Sequence, residues 1–311
     1  MRFMITGGAG FLGSALANRL VGLGHVVHVL DDLSAGDPAR LSDEVLFTRG
    51  DVRDLPRLWS LLHDVECVYH LAAKVSVPAS KLYPREYNDV NVGGTVCLLE
   101  AMRDVGVPKL VLASSGAVYG EQASQPIPET AAPNPTSPYA VSKLAAEYYC
   151  LNIGRLVGFE TVVLRIFNAY GPGQPLPSSH APVVPLFLKR ALSGGSLVVF
   201  GGGDQTRDFV YIEDVVNALV AAGLRQGLDG RVINIGSGRE HSIAQLVQLV
   251  AQVTGRELAP IANNSQDGGI SRAVADISLA ARLLGYVPQV QLEQGLRRML
   301  SEDERFRRTP A

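Results

Sequence analysis

Cysteine is scarce in this chain of 311 residues: Cys67, Cys97 and Cys150 stand far apart, odd in number and outside any C-x-x-C pair. That excludes a disulfide framework and a paired-cysteine zinc site, and reads as reduced thiols in a cytoplasmic protein. The six histidines (His25, His28, His63, His70, His180, His241) fall in no metal-ligand spacing and read as surface or strand-end residues, so no metal is expected. An excess of either charge is missing too. Lys and Arg number 28 against 30 Asp and Glu, a formal net charge of -2 with no block of like sign, which argues against nucleic acid as a partner. No apolar run approaches the roughly 20 residues of a membrane helix, and no cationic stretch leads into an apolar one at the N-terminus, so neither membrane nor secretion is expected. Only 19% of residues are charged while 47% are apolar, which excludes a disordered chain.

Glycine, by contrast, is plentiful, and its placement is informative. Phe3-Met4-Ile5-Thr6 reads as a buried strand, Gly7-Gly8-Ala9-Gly10-Phe11-Leu12-Gly13 as a turn, and Leu12, Leu16, Leu20 and Leu23 as one face of a helix. Further strands are expected at His25 to Leu30, Cys67 to Ala73, Lys109 to Ser115 and Thr161 to Phe167, with amphipathic helices between them. Repeated βα units of this kind make an α/β fold with a parallel sheet covered on both faces. Length is a prior for about two domains; the boundary is expected near 168, with a smaller α/β domain over 169–311 whose chain returns to the first sheet around 207–238. Two proline-rich stretches, Glu121 to Pro138 and Gly171 to Pro185, read as ordered loops. The charged tail Ser301 to Ala311 is expected to fray.

The glycine segment satisfies G-x-G-x-x-G between a strand and a helix, where backbone N–H groups approach a pyrophosphate at the positive end of the helix. Its bland alternative is a tight turn. Asp31, 18 residues after Gly13 at the end of the second strand, favours the dinucleotide, since a carboxylate there accepts hydrogen bonds from ribose hydroxyls and repels a 2′-phosphate. NAD is therefore expected over NADP.

Tyr139 and Lys143 stand four apart on a helix opening after Pro138, and so project from one face. By itself the pair reads equally as a solvated helix face. Beside a dinucleotide it has a chemical use: a tyrosine of pKa about 10 is a poor base unless positive charge is near. One charge about 6 Å away, at an effective dielectric of about 20, contributes about 2.8 kcal/mol, enough to lower the pKa by roughly two. The strand Lys109 to Ala113 delivers Ser114 and Ser115 at the ligand-binding end of such a sheet. Ser114 caps or turns the chain, or touches ligand; Ser115 is expected to hydrogen-bond the reacting hydroxyl.

These motifs, together with Gly50-Asp51-Val52, His70-Leu71-Ala72-Ala73, Asn91-Val92-Gly93-Gly94-Thr95, Ser114-Ser115-Gly116-Ala117-Val118-Tyr119-Gly120, Arg165-Ile166-Phe167-Asn168 and Arg207-Asp208-Phe209-Val210-Tyr211, resemble an extended short-chain dehydrogenase/reductase of the UDP-galactose 4-epimerase family over nearly the whole chain. The resemblance implies a Rossmann doubly wound sheet, NAD as cofactor and a nucleotide-sugar substrate. It places Gly7, Gly10, Phe11, Leu12, Asp31, Asp32, Asp51, Val52, Leu71, Ala72, Ala73, Asn91, Tyr139, Lys143 and Phe167 at the cofactor, with Ser115, Tyr139 and Lys143 as the catalytic group. Lys74, Ser115, Gly116, Tyr139, Asn168, Val184, Phe200, Arg207, Arg272 and Ala273 fall at the substrate, although Lys74 reads as well as a solvated lysine. A homodimer is implied through Tyr83 to Val105 and Pro138 to Val157, with Val96, Leu99 and Ala146 as candidate seam residues.

Sister dehydratases carry an acidic pair directly after the catalytic hydroxyl residue, where this chain has Gly116 and Ala117; epimerisation needs only one base and a reversible hydride acceptor. Ala273 occupies a position whose size gates acetamido sugars, so UDP-glucose/UDP-galactose and UDP-GlcNAc/UDP-GalNAc are both expected. The loop Gly173 to Pro182 lacks an arginine to hold a uronic acid. Where the family reads R-x-G-D, this chain has Gln266-Asp267-Gly268-Gly269, which leaves a phosphate contact to Arg272. Remaining alternatives are UDP-glucuronate 4-epimerisation, CDP-sugar 2-epimerisation, 4-keto-sugar reduction, or NAD sensing without catalysis.

Overall fold

The computed structural model describes residues 1–263 and 269–307. Its first part runs β1 (Arg2–Thr6), α1 (Phe11–Gly22), β2 (Val26–Asp31), β3 (Leu46–Arg49), α2 (Leu55–Leu61), β4 (Cys67–His70), α3 (Val77–Leu82), α4 (Pro84–Tyr87), α5 (Gly94–Val105), β5 (Lys109–Ser115), α6 (Pro138–Val157) and β6 (Glu160–Ile166). There follow β7 (Asn168–Tyr170), α7 (Val183–Ser193), β8 (Val198–Phe200), β9 (Thr206–Arg207), β10 (Phe209–Tyr211), α8 (Ile212–Leu224), β11 (Arg231–Ile235), β12 (His241–Ser242), α9 (Ile243–Thr254), β13 (Ile261–Asn263), α10 (Ser278–Leu284) and α11 (Leu292–Glu302).

Seven strands form one parallel sheet in the order β11-β6-β5-β4-β1-β2-β3. Burial on both faces explains why these strands read as continuous apolar runs. Alternate residues divide the core: Phe3, Ile5, Val27 and Val29 pack with α1, α8 and α10 on one face, whereas Met4, Val68, Leu110 and Leu112 pack with α2, α5 and α6 on the other. Strand order reverses between β1 and β4, which opens a crevice at the carboxyl ends of the strands. A further apolar core joins α7, α9 and α11 to β8 and β10, and β11 carries the chain back to the main sheet beside β6.

Four details differ from the sequence reading. β4 stops at His70 rather than Ala73, because the Lys74 backbone N–H and carbonyl both bond to the Asn91 side chain (2.8 and 3.0 Å) instead of to a strand. The helix expected from Tyr83 to Val105 is continuous in path but contains a π-helical turn over Asn88–Gly93, a conformation that is rare and concentrated at functional sites. Leu99 and Ala146 are buried in the core of this chain and so are unavailable to a dimer seam; Val141, Tyr148 and Tyr149 are the exposed residues on α6. The tail does not fray as far as Arg307: Phe306 is buried, and the Asp303 carboxylate accepts from the Gly173 N–H at 2.9 Å.

Candidate active site

At the end of β1 the glycines are demanded by space. Gly7 has φ +70°, and a Cβ on it would lie 2.6 Å from the Ala72 nitrogen; on Gly13 a Cβ would lie 2.3 Å from the Gly7 carbonyl oxygen. Gly10 is the N-cap of α1 and has no side chain to occupy its N–H groups, so the positive end of the helix faces the crevice. Beyond it the Asp31 carboxylate, pushed up by burial, accepts from the Ala9 and Leu33 N–H groups at 3.0 and 2.8 Å. A Cβ on Gly36 would come within 2.7 Å of that carboxylate. This groove of backbone donors closed by a carboxylate fits a dinucleotide. Arg40, the first cation after Asp31, donates to the Gly173 carbonyl at 2.6 Å. Asp32 caps the turn through the Ser34 N–H, Asp51 forks onto Arg53, Val52 is buried, and Phe11 and Leu12 form the first turn of α1 half-buried.

Three elements bring the catalytic candidates together. β5 ends on Ser115, whose hydroxyl accepts from the Ala117 N–H. Ser137 caps α6 through the Ala140 N–H, with Pro138 in the first turn, and this orients Tyr139 and Lys143 inward; both are buried. Burial pushes the Tyr139 phenol up and the Ser115 hydroxyl, hydrogen-bonded to it, pulls it down. Asn91, buried in the π turn, braces this helix: its amide donates to the Ser142 hydroxyl at 2.9 Å, which in turn donates to the Tyr139 carbonyl at 2.7 Å. Leu71, Ala72 and Ala73 follow β4 beside the Gly7 turn, with the Leu71 N–H bonded to the Thr6 carbonyl.

Burial lowers Lys143 to about 8. An unfolded lysine holds its proton to about 10.4. Between these values the unfolded chain binds the additional proton, so the Lys143 contribution to stability rises with pH through that window. The urea midpoint of wild type relative to Lys143→Met is therefore expected to climb between about pH 7.5 and about pH 10. A flat difference would contradict a buried ammonium.

On the other side of the crevice, three backbones lie together: the Asn168 N–H donates to the Asp208 carbonyl, and the Asp208 N–H to the Ala273 carbonyl. Asp208, fully buried, gathers them by accepting from Ser237 (N–H and hydroxyl), Gly238 and Ala275. Arg207 donates to the Thr206 and Ile270 carbonyls. Val184 is buried in α7, and Phe200 is exposed at the end of β8. Two candidate cations are engaged elsewhere. Arg272 forks onto Glu240, both bonds 2.7 Å, and holds that carboxylate at about 2; Lys74 pairs with Glu86 at 2.8 Å, its solvated alternative. Gln266, Asp267 and Gly268 lie outside the described residues. Gly116 sits where a Cβ would be 3.1 Å from the Phe167 ring, so the position that carries an acid in dehydratases has no ready space for one.

The sequence reading missed the group behind the site. Glu147, one turn after Lys143, is buried with Arg165 in a bidentate ion pair of 2.7 Å, and the Ser114 hydroxyl donates to the same carboxylate. His70, read as a strand end, is one, but a fully buried one beneath the crevice. The E-x-x-x spacing after Lys143 was the available signal for Glu147; His70 gave none. Among the described residues no group of three His, Cys, Asp or Glu side chains is placed to hold a metal ion, and no helix is long and apolar enough to cross a membrane. The three thiols are free.

Residues 3–236 match the family model described as NAD dependent epimerase/dehydratase family. A UDP-glucose 4-epimerase of Mycolicibacterium smegmatis is 40% identical over 304 residues, which cover 95% of this chain and 96% of that protein. The crystal structure of a Thermotoga maritima UDP-glucose 4-epimerase with UDP-glucose superposes with a TM-score of 0.92 at 37% identity, covering 97% of this chain and 98% of that one. A Bacillus cereus UDP-glucuronic acid 4-epimerase in complex with UDP-glucuronic acid and NAD superposes at 0.89 with 34% identity and the same coverage.

Proposed function

The chain belongs to the NAD-dependent epimerase/dehydratase family, and from that premise we propose that it interconverts UDP-glucose and UDP-galactose by inversion at C4. It is an NAD-dependent nucleotide-sugar epimerase; the sugar is what the proposal adds. The observation that carries it is the buried Ser115–Tyr139–Lys143 group at the carboxyl end of β5, facing a dinucleotide groove, with Gly116 in place of a second acid.

NAD would lie along Gly7, Gly10, Phe11, Leu12, Asp31 and Asp32, past Asp51, Val52, Leu71, Ala72, Ala73 and Asn91, to Tyr139, Lys143 and Phe167. Bound there, it supplies the reversible hydride acceptor that lets C4 become a ketone and be rebuilt on either face. Tyr139 takes the proton of the sugar 4-hydroxyl and later returns it. Ser115 holds that oxygen in place, and the Lys143 ammonium favours the phenolate. Asn168 and Arg207 are assigned to the diphosphate, where a guanidinium binds phosphate oxygens bidentately. For Arg272 to help, it must leave Glu240. Val184 and Phe200 are assigned to the nucleotide end, and Gly116 to the sugar. The division of labour between residues 1–168 and 169–311 is part of this reading. So is a homodimer, for which a cleft of about 540 Å³ along α6, lined by Pro84, Asn88, Val92, Pro138, Val141 and Ala145, offers a seat.

Ala273 favours a second substrate pair, the acetamido sugars, because its methyl side chain takes little room. Incubation with a panel of nucleotide sugars, read by chromatography with absorbance followed at 340 nm, tests both pairs. Inversion of UDP-glucose and UDP-GlcNAc with no net NADH is the expected result, and stoichiometric NADH consumption would make the enzyme a reductase. Ala273→Tyr is expected to cut turnover of the acetamido pair by at least about tenfold and spare the plain hexoses.

A further inference from the structure

A chain of buried hydrogen bonds runs beneath the crevice from the dinucleotide turn to the catalytic helix. The Thr6 hydroxyl lies 2.7 Å from Nδ1 of His70, whose Nε2 lies 2.9 Å from the Thr95 hydroxyl; the latter is 2.6 Å from the Asn91 carbonyl, and the Ala72 N–H donates to the Thr6 hydroxyl at 3.4 Å. We propose that His70 is a positioning residue of this active site, a neutral imidazole protonated on Nε2 that fixes the dinucleotide turn relative to the helix bearing Tyr139. What it positions rests on the epimerase reading; how it does so follows from the bonds alone.

Their direction is forced from the far end. A carbonyl only accepts, so the single hydroxyl proton of Thr95 is spent on Asn91. Toward His70, Thr95 can then only accept, which puts the proton on Nε2. In a neutral ring Nδ1 is left as acceptor, the Thr6 hydroxyl donates to it, and the Thr6 oxygen takes the Ala72 N–H. Every group has one partner and one sense.

Both ends of the chain are parts of the site. Thr6 immediately precedes Gly7, whose missing Cβ makes room for the backbone of Ala72. Asn91 ties Lys74 and Ser142 together, and Ser142 is bonded to the Tyr139 carbonyl. Protonation of His70 would place a donor at Nδ1 and leave the Thr6 proton without an acceptor. Burial opposes that protonation, and so does the charged group that acts on the ring, the Lys143 ammonium of α6; together they bring His70 down to about 3. A side chain that merely filled space would need neither two bonds nor a fixed tautomer.

Two-bond proton–nitrogen spectra of the ¹⁵N-histidine-labelled, NAD-loaded enzyme read the tautomer directly. The His70 ring is expected to show a neutral Nε2–H pattern from about pH 5 to about pH 9; an Nδ1–H pattern, or a titration within that range, overturns the proposal. His70→Phe is expected to lower kcat roughly 10- to 100-fold while KM stays within about threefold, the signature of misplaced rather than missing contacts. Thr95→Val, which breaks the same chain with little change in shape, is expected to lower kcat in the same way, and the double variant to lose no more than His70→Phe alone. A kcat within about twofold of wild type in His70→Phe, or additive losses in the double variant, also overturns it. Should His70→Phe not fold, the spectra and Thr95→Val decide. If wild type inverts no nucleotide sugar, the epimerase reading fails, while the spectra still judge His70.

Discussion

Tyr139→Phe is expected to bind NAD and nucleotide sugar as wild type does while turnover falls about 10²- to 10⁴-fold, the range supplied by a positioned acid–base group. In free-energy terms that is roughly 3–5 kcal/mol of lost transition-state stabilisation. The change removes one oxygen and nothing else: the ring stays buried and keeps its edge contact with Tyr87, centroids 6.4 Å apart. Ser115 remains, but an aliphatic hydroxyl held by the Ala117 N–H has no neighbour to receive its proton. Calorimetric titration with the UDP-sugar and chromatographic turnover separate the two effects. A kcat close to wild type in the variant would remove Tyr139 from the chemistry.

What could be read in the sequence was what local backbone geometry demands. Gly7, Gly10 and Gly13 announce the dinucleotide turn because a Cβ at Gly7 or Gly13 would strike backbone, and a run of three such requirements between a strand and a helix leaves a pattern within seven residues. Tyr139 and Lys143 were legible for the same reason, since helical spacing puts both on one face. Less legible was anything whose meaning depends on a partner far along the chain. Glu147 acquires its role from Arg165 on β6 and Ser114 on β5, Asp208 from Ser237, Gly238 and Ala275, and His70 from Thr6 and Thr95. Arg272 shows the converse: in sequence it is a spare cation near a missing phosphate ligand, and folding places Glu240 beside it. Leu99 and Ala146 looked suited to a seam because apolar residues on a helix do not say which neighbour buries them.

The largest effect on stability is expected at Glu147, which touches no ligand in the proposed reaction. Its side chain is 1% exposed and that of Arg165 6%. Removing one partner of a buried ion pair leaves a desolvated charge and costs about 3–5 kcal/mol, a large part of the roughly 5–15 kcal/mol that holds a domain together. Arg165 has little to fall back on: its NH1 is already buried without a hydrogen-bond partner, and its remaining company is the Tyr119 ring, 4.6 Å from the guanidinium carbon. Glu147→Ala should therefore lower the urea midpoint steeply. Glu147→Leu combined with Arg165→Met removes both charges, and should recover most of the loss, since apolar side chains replace buried pairs at little cost. The comparison isolates the stranded charge from the lost packing. If the single and double variants unfold at the same urea concentration, the penalty belongs to the cavity around α6 and β6 rather than to Arg165.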